Sequence, residues 1–146
     1  PGDPRDPQAA ALLAASHALM QSLFPPEDNF FLDIEALCAP DIRFFVARDG
    51  DRTLGTGALA LRDGYGEVKS MFVAPEARGR GVAAAILSRI EDAARTLGLP
   101  ELKLETGTLL HDAHRLYRRH GFRTCGAFGD YPADAGSSVF MEKTLG

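Results

Sequence analysis

A glycine-rich segment flanked by arginines has the most specific chemistry in this sequence. It reads Arg78-Gly79-Arg80-Gly81-Val82-Ala83 and lies between a predicted strand that ends at Val73 and a predicted helix that begins at Val82. The glycines let backbone N–H groups converge at the helix N-terminus, where anions commonly bind. The guanidinium groups of Arg78 and Arg80 suit phosphate oxygens. The segment therefore predicts a phosphate site, and a pyrophosphate fits it best.

Three interpretations of this segment differ in the ligand. Read as Gly79-x-Gly81-x-x-Ala84, with Glu105 further along the chain, the segment satisfies a loose dinucleotide-binding fingerprint. However, residues 74–78 separate it from the strand, whereas the glycines of a dinucleotide fold follow the strand directly. A Walker loop is excluded because no Gly-Lys-Ser/Thr sequence follows. The third interpretation is a structural turn with solvated arginines.

Three blocks, in the expected order, resemble the GCN5-related N-acetyltransferase (GNAT) superfamily. The pattern Arg78-x-x-Gly81-x-Ala83 is similar to its acyl-CoA signature, and residues 67–73 are similar to its fourth strand. The pattern Ala113-x-x-Leu116-Tyr117-x-x-x-Gly121-Phe122 is similar to its late helix and following strand. The segments 104–107, 128–131 and 138–143 are similar to a narrower group of bacterial acetyltransferases. The resemblance extends from about residue 10 to residue 145.

The resemblance implies a single domain, residues 1–146, that moves the acetyl group of acetyl-CoA to a primary amine by direct attack in a ternary complex. The backbone of residues 71–73 is implied to pair with the pantetheine arm and to offer an N–H to the thioester carbonyl. Leu110 stands where many family members have Asn. The implied cofactor contacts are Met71, Phe72, Val73, Arg78, Gly79, Arg80, Gly81, Val82, Ala83, Ala113 and Tyr117.

Acetyl transfer to an amine calls for a base and an acid. An alkyl amine has a pKa near 10, so only about one molecule in a thousand is neutral at pH 7. Glu67 occupies the position at which several family members have a catalytic glutamate, and its alternative role is a solvated strand carboxylate. Tyr117 is implied to protonate the departing CoA thiolate, and its alternative role is an amphipathic core residue.

The acceptor site is expected to combine aromatic and acidic side chains, whose carboxylates would attract a cationic amine. The spacing of His111 and His114 is compatible with a metal site, but acetyl transfer needs no metal, so we expect none and interpret both as solvated helix residues. Cys125 is expected to be a small core residue rather than a nucleophile. The acceptor-site candidates are Phe24, Glu27, Phe30, Phe128, Asp130 and Tyr131.

Composition agrees with one compact catalytic domain. The 146 residues are near the modal domain size, and the apolar fraction of 45% is ordinary. The net charge of −4 argues against a nucleic-acid partner, and no apolar run is long enough to span a membrane. Two distant cysteines without a secretory segment predict reduced thiols in the cytoplasm. The expected partner is a small-molecule amine or a peptide, and a homodimer remains open.

The hydrophobic spacing predicts helices and a mixed sheet, and the resemblance implies the α+β, three-layer GNAT fold. Its sheet has about six mostly antiparallel strands with flanking helices, and strand 101–105 lies parallel to strand 65–73. Helices are predicted at 8–24, 29–37, 82–97 and 111–120, and strands at 42–47, 53–61, 65–73, 101–105, 122–125 and 138–143. The first strand of the family is expected to be missing. The alternative in a different class is a non-catalytic CoA-binding or regulatory module.

Overall fold

A computed structural model of the chain describes residues 2–24, 32–129, 131–132 and 136–145. In these residues, four helices pack around one sheet. In chain order, the elements are α1 (Pro7–Leu23), α2 (Ile34–Leu37), β1 (Ile42–Asp49), β2 (Arg52–Leu61), β3 (Gly66–Val73), a 3₁₀ turn (Pro75–Ala77), α3 (Val82–Thr96), β4 (Glu101–Gly107), α4 (His111–Arg119), β5 (Arg123–Cys125) and β6 (Ser138–Thr144).

The six strands form one sheet in the order β1-β2-β3-β4-β6-β5. Only β3 and β4 run parallel, because α3 carries the chain back across the sheet between them, and the other neighbours are antiparallel. This arrangement confirms the predicted mixed, mostly antiparallel sheet. It also confirms the predicted parallel strand after the third helix.

Local capping explains where the two N-terminal helices begin. The Asp6 side chain accepts hydrogen bonds from the N–H groups of Gln8 and Ala9, so α1 starts at Pro7. The Asp33 side chain accepts from the Ala36 N–H and caps α2 in the same way. The predicted helix 29–37 was therefore too long, since Asp33 precedes the helix, while residues 29–31 lie outside the described residues.

The two faces of the sheet carry different helices. Leu59 packs with Ile86 and Ile90 of α3 and with Tyr117 of α4 in the larger hydrophobic cluster. Its neighbour Ala58 instead packs with Leu13 of α1 and Leu37 of α2. Adjacent residues of a strand point to opposite faces, so α3 and α4 cover one face and α1 and α2 cover the other.

The family's first strand was expected to be missing, and the β1 edge of the sheet is consistent with that expectation. β1 is the edge strand, and among the described residues no strand comes before α1. The backbone N–H of Gly2 donates to the Phe44 carbonyl at 2.8 Å, so one isolated hydrogen bond is made at this edge. None of the helices in the described ranges is long and apolar enough to cross a membrane.

Candidate active site

A cleft opens where β3 and β4 separate. The two strands pair only at Gly66↔Leu102, Glu67↔Lys103 and Val68↔Leu104, although both strands continue beyond these pairs. A cavity lies at this separation. Its wall is formed by the end of α1, residues 68–71 of β3, residues 105–107 of β4 and the first two turns of α4. Side chains from both layers of helices therefore reach the same cavity.

A β-bulge bends β3 at this point. Ala58 is opposite Lys69 and Thr56 is opposite Phe72, so two residues of β3, Ser70 and Met71, face one residue of β2. Ser70 has φ +57°, and its buried Oγ has no hydrogen-bond partner among the described residues. The bulge redirects β3 and contributes to its separation from β4.

Beyond the bulge, β3 has one edge available to a ligand. Residues 72 and 73 pair with Thr56 and Gly55 of β2 on one side. On the other side, no strand in the described part of the chain pairs with β3 beyond Val68. The backbone groups of the predicted contacts Met71, Phe72 and Val73 can therefore pair with an extended ligand arm, as an added strand would.

The arginine-glycine turn leads into the N-terminus of α3. Gly79 and Gly81 have φ of +79° and +76°, and a Cβ added at either glycine would meet nothing within 4 Å. The first backbone hydrogen bond of the helix runs from the Ala85 N–H to the Gly81 carbonyl at 3.0 Å. The N–H groups of residues 82–84 consequently have no partner within the helix and suit an anion.

The two arginines of this turn differ in their surroundings. Both are exposed, and a guanidinium nitrogen of Arg80 lies 3.5 Å from the Asp49 carboxylate. An exposed ion pair of this kind is weak, so Arg80 can exchange Asp49 for a phosphate at little cost. Arg78 and Arg80 thus supply positive charge beside the open turn.

Tyr117 lies on the α4 wall of the cavity, one turn after Ala113, which also lines it. The residue is 6% exposed, and its ring packs edge-on against Phe122, with ring centroids 5.7 Å apart. Burial raises the pKa of Tyr117, and the nearby Glu105 carboxylate raises it further. The phenol stays protonated at ordinary pH, and its hydroxyl makes no hydrogen bond to the described residues. It is available as a proton donor to a ligand.

Glu67 lies in a network of donors on β3 and its neighbours. Its side chain is 4% exposed, and one oxygen accepts a 3.1 Å hydrogen bond from Arg62 Nε. The other oxygen accepts from the Tyr131 hydroxyl and lies 3.5 Å from Lys69 Nζ. The alternative of a solvated strand carboxylate is wrong, because Glu67 is buried among two cations and a phenol.

The candidate acceptor residues fall into three groups. Phe24 lines the cavity and packs so closely against β4 that a Cβ at Gly107 would lie 2.2 Å from its ring. Tyr131 accepts a 2.7 Å hydrogen bond from Lys69 Nζ, beside the cavity. Phe128 stacks edge-on with Tyr131 in an aromatic cluster, at a centroid distance of 5.2 Å. Glu27, Phe30 and Asp130 lie outside the described residues.

The prediction that both histidines of α4 are solvated was wrong for His114. His111 is exposed, but His114 is 8% exposed and its Nε2 lies 2.8 Å from the Gly107 carbonyl. This contact fixes the start of α4 to the end of β4, so the role of His114 is structural. Within the described ranges, no three His, Cys, Asp or Glu residues are grouped to hold a metal ion.

Sequence reasoning missed two charged residues of the cavity wall, Lys69 and Glu105. They follow directly after the last paired residues of β3 and β4, Val68 and Leu104. Glu105 was considered as part of a dinucleotide-binding pattern and of the acetyltransferase-like segment 104–107, but it was not given a role in the site. Alternation along β3 places Lys69 on the same face as Glu67, which was the available signal for it.

Comparison with known proteins is consistent with this geometry. The acetyltransferase (GNAT) family matches residues 12–122. The IAA acetyltransferase of Azospirillum brasilense is 50% identical over 125 residues, which cover 84% of this chain and 81% of that protein. The uncharacterized N-acetyltransferase YedL of Escherichia coli is 40% identical over 142 residues, covering 95% of this chain and 89% of that protein.

A solved structure supports the same assignment. It is that of a protein assigned as an acyl-CoA N-acyltransferase from Klebsiella pneumoniae, with a TM-score of 0.82 and 33% identity. The match covers 99% of this chain and 94% of that one. The family match spans well over half of the sequence, and it selects acetyl transfer over dinucleotide binding. The chain therefore belongs to the acetyltransferase (GNAT) family and is an acyltransferase enzyme.

Proposed function

We propose that residues 1–146 form one domain that transfers the acetyl group of acetyl-CoA to a primary amine of a small molecule or a peptide, by direct attack in a ternary complex. The observation that supports this most is the position of Tyr117. Its protonated hydroxyl, with no hydrogen bond to the described residues, lines the cavity where β3 and β4 separate. A proton donor in a cleft between diverging strands suits the departure of a thiolate.

The chain offers acetyl-CoA three kinds of contact. The turn at residues 78–83 would hold the pyrophosphate, because its N–H groups and arginines face open space. The free edge of β3 at residues 71–73 would pair with the pantetheine arm and donate an N–H to the thioester carbonyl. Ala113, which is small and partly buried on the cavity wall, would leave room for the arm beside Tyr117.

The chemistry divides between the two sides of the cleft. Tyr117 would give its proton to the sulfur as the C–S bond breaks, since a neutral phenol is retained in this site. The acceptor loses a proton to a carboxylate on the other side. Glu67 is the candidate that the family resemblance indicates, and Glu105 is a second carboxylate on the cavity wall. Phe24, with Phe128 and Tyr131 nearby, would provide apolar and aromatic contacts to the acceptor.

Binding and turnover together test the proposal. Calorimetric titrations with acetyl-CoA, CoA and NAD should show heat for the first two ligands only. Acetyl transfer is then measured as thiol release with a panel of acceptors: spermidine, L-lysine, tryptamine, a peptide with an N-terminal alanine, and IAA, which is included because a relative is named for it. At least one primary amine should be acetylated.

The outcomes separate the two functional classes. Binding of acetyl-CoA with no transfer to any primary amine would favour a non-catalytic CoA-binding module. Binding of NAD without CoA would contradict acetyl-CoA dependence altogether. Light scattering of the same preparation, with and without acetyl-CoA, distinguishes a monomer from a homodimer.

A further inference from the structure

Glu105 stands at the point where the cleft opens. The last pair between β3 and β4 is Val68↔Leu104, so Glu105 is the first residue of β4 that no longer pairs with β3. It is partly buried and lines the same cavity as Tyr117. Its position therefore brings a carboxylate to the place where the acetyl group and the acceptor amine must meet.

A residue of the neighbouring strand β6 fixes the Glu105 carboxylate. The Ser138 hydroxyl on β6 donates a 2.7 Å hydrogen bond to Glu105 Oε2. The carboxylate also acts on the Tyr117 hydroxyl across the cavity, where it adds to the effect of burial in raising the pKa of that phenol. Glu105 and Tyr117 are thus electrostatic neighbours with complementary capacities, one as a proton acceptor and the other as a donor.

Glu67, unlike Glu105, lies outside the cavity wall, although it directly precedes Val68, the first β3 residue of that wall. It is not among the described residues that line the cavity. Its two oxygens already accept hydrogen bonds from Arg62 and Tyr131, and Lys69 Nζ is 3.5 Å away. A carboxylate that satisfies three donors and is 4% exposed in its side chain is well placed to orient them. It is poorly placed to reach an incoming amine.

We propose that Glu105, rather than Glu67, is the base that accepts the proton of the acceptor amine, directly or through one water molecule. The inference rests on the proposed acetyl transfer. Glu67 is then a positioning residue that orders Lys69 and Tyr131 beside the acceptor.

The protons balance as follows. The acceptor ammonium gives one proton to Glu105 and becomes a neutral nucleophile. Its nitrogen forms the C–N bond as the C–S bond breaks, and Tyr117 gives its proton to the sulfur. The second proton that leaves the nitrogen restores the phenol, and Glu105 releases the first proton to water. The products are the amide, the free thiol of CoA and one proton.

Several charged or titratable groups lie on the elements around Glu105. Lys69 of β3 lines the same cavity, and Lys103 lies two residues earlier on β4, on the same face. The phenols of Tyr117 and Tyr131 both experience the Glu105 charge. The described residues that α1 contributes to the cavity, Ser16 and Met20, are uncharged.

The test compares Glu105→Gln with Glu67→Gln in the full chain. The probe is the alkyl amine of the panel that the unsubstituted protein acetylates fastest. Glu105→Gln should lower kcat/KM at pH 7 by about 10²- to 10⁴-fold, the usual effect of losing a general base. Between pH 7 and pH 9 its rate should rise about tenfold per pH unit, because the neutral amine then comes only from solution.

Glu67→Gln should raise the acceptor KM with a smaller change in kcat and should keep the pH profile of the unsubstituted protein. Calorimetry should give acetyl-CoA affinities within about twofold for all three proteins, since neither carboxylate contacts the turn at residues 78–83. If Glu67→Gln shows the steep pH profile and Glu105→Gln does not, Glu67 is the base and the inference is wrong.

Two further measurements keep the inference testable. If Glu105→Gln unfolds, the Ser138→Ala variant is measured instead. It removes the 2.7 Å hydrogen bond to Glu105 but keeps the carboxylate. We expect kcat to fall several-fold and the pH profile to become steeper. If the unsubstituted protein acetylates no amine, the proposed transfer fails. Slow acetyl-CoA hydrolysis then tests Glu105 separately, and equal hydrolysis rates with and without the carboxylate would exclude it as a base.

Discussion

The Thr56 hydroxyl on β2 donates a 2.8 Å hydrogen bond to the backbone carbonyl of Ser70 on β3. Thr56 is fully buried, and Ser70 is the only described non-glycine residue with positive φ, at +57°. Such a conformation costs about 1–3 kcal/mol for a residue with a Cβ. The side chain of Thr56 therefore stabilises the bulge that separates β3 from β4.

Replacement of Thr56 by Val should disturb the bulge, because Val keeps the shape but leaves the Ser70 carbonyl without its donor. We expect the free energy of unfolding to fall by about 1–3 kcal/mol and acetyl transfer to decrease more than this loss explains. Thr56→Ser retains the hydroxyl and should restore most of the activity. Denaturant unfolding and steady-state kinetics measure both effects. Equal behaviour of the two variants would show that the hydroxyl does not maintain the bulge.

The two ends of α3 provide a matched test of the phosphate turn. Gly81 precedes the helix at φ +76°, and Gly98 follows it at φ +74°, and a Cβ at either would meet nothing within 4 Å. Alanine at each position should cost a similar stability of about 1 kcal/mol, because both force a side chain into the left-handed region. Only Gly81→Ala should weaken the binding of acetyl-CoA, since only Gly81 adjoins the N–H groups of residues 82–84.

Calorimetry with acetyl-CoA and thermal unfolding of both glycine variants measure these effects. A bulkier change, Gly81→Val, should weaken binding further, although its β-branched side chain also adds backbone strain at this positive φ. The placement of the pyrophosphate at this turn is contradicted if Gly81→Val and Gly98→Ala bind acetyl-CoA equally well.

Removal of the Tyr117 hydroxyl should separate catalysis from packing. Tyr117→Phe retains the edge-on contact with Phe122, and the hydroxyl makes no hydrogen bond to the described residues. Stability and acetyl-CoA affinity should therefore hold while turnover falls by about 10- to 1000-fold. Phe122→Leu is the control for packing and should lower the melting temperature with little change in turnover. Normal turnover in Tyr117→Phe would leave Tyr117 as a core residue.

The buried phenol should also affect stability at alkaline pH. The pKa of Tyr117 is raised in the folded state, first by burial and then by Glu105. Below about pH 10 the phenol is protonated in both states, and above it only the unfolded chain loses the proton. The free energy of unfolding should thus fall with pH by up to about 1.4 kcal/mol per unit from this residue. Denaturant unfolding at pH 9–11 should show a smaller decline for Tyr117→Phe, and identical declines would contradict the shift.

Local spacing was enough to predict most of the elements and the positions of the special glycines. The apolar period of α3 and the glycines at both of its ends depend on residues a few positions apart, so the sequence contains the whole signal. The parallel placement of β4 followed from the crossover helix. The second helix was predicted with the correct end, Leu37, but too early a start, because the Asp33 cap begins it at Ile34.

The surroundings of the charged residues depended on the tertiary structure. Tyr131 meets Glu67 across 64 positions of sequence, and Glu105 reaches Ser138 because β6 inserts between β4 and β5. The sequence predicted His114 as a solvated helix residue, whereas the structure packs it against the Gly107 carbonyl at the end of β4. Single residue types and local periods contain no information about such distant contacts. The sequence by itself determined where the glycine turn, the candidate phenol and the candidate carboxylates lie along the chain, whereas strand order, register and the bulge decided which carboxylate lines the cleft.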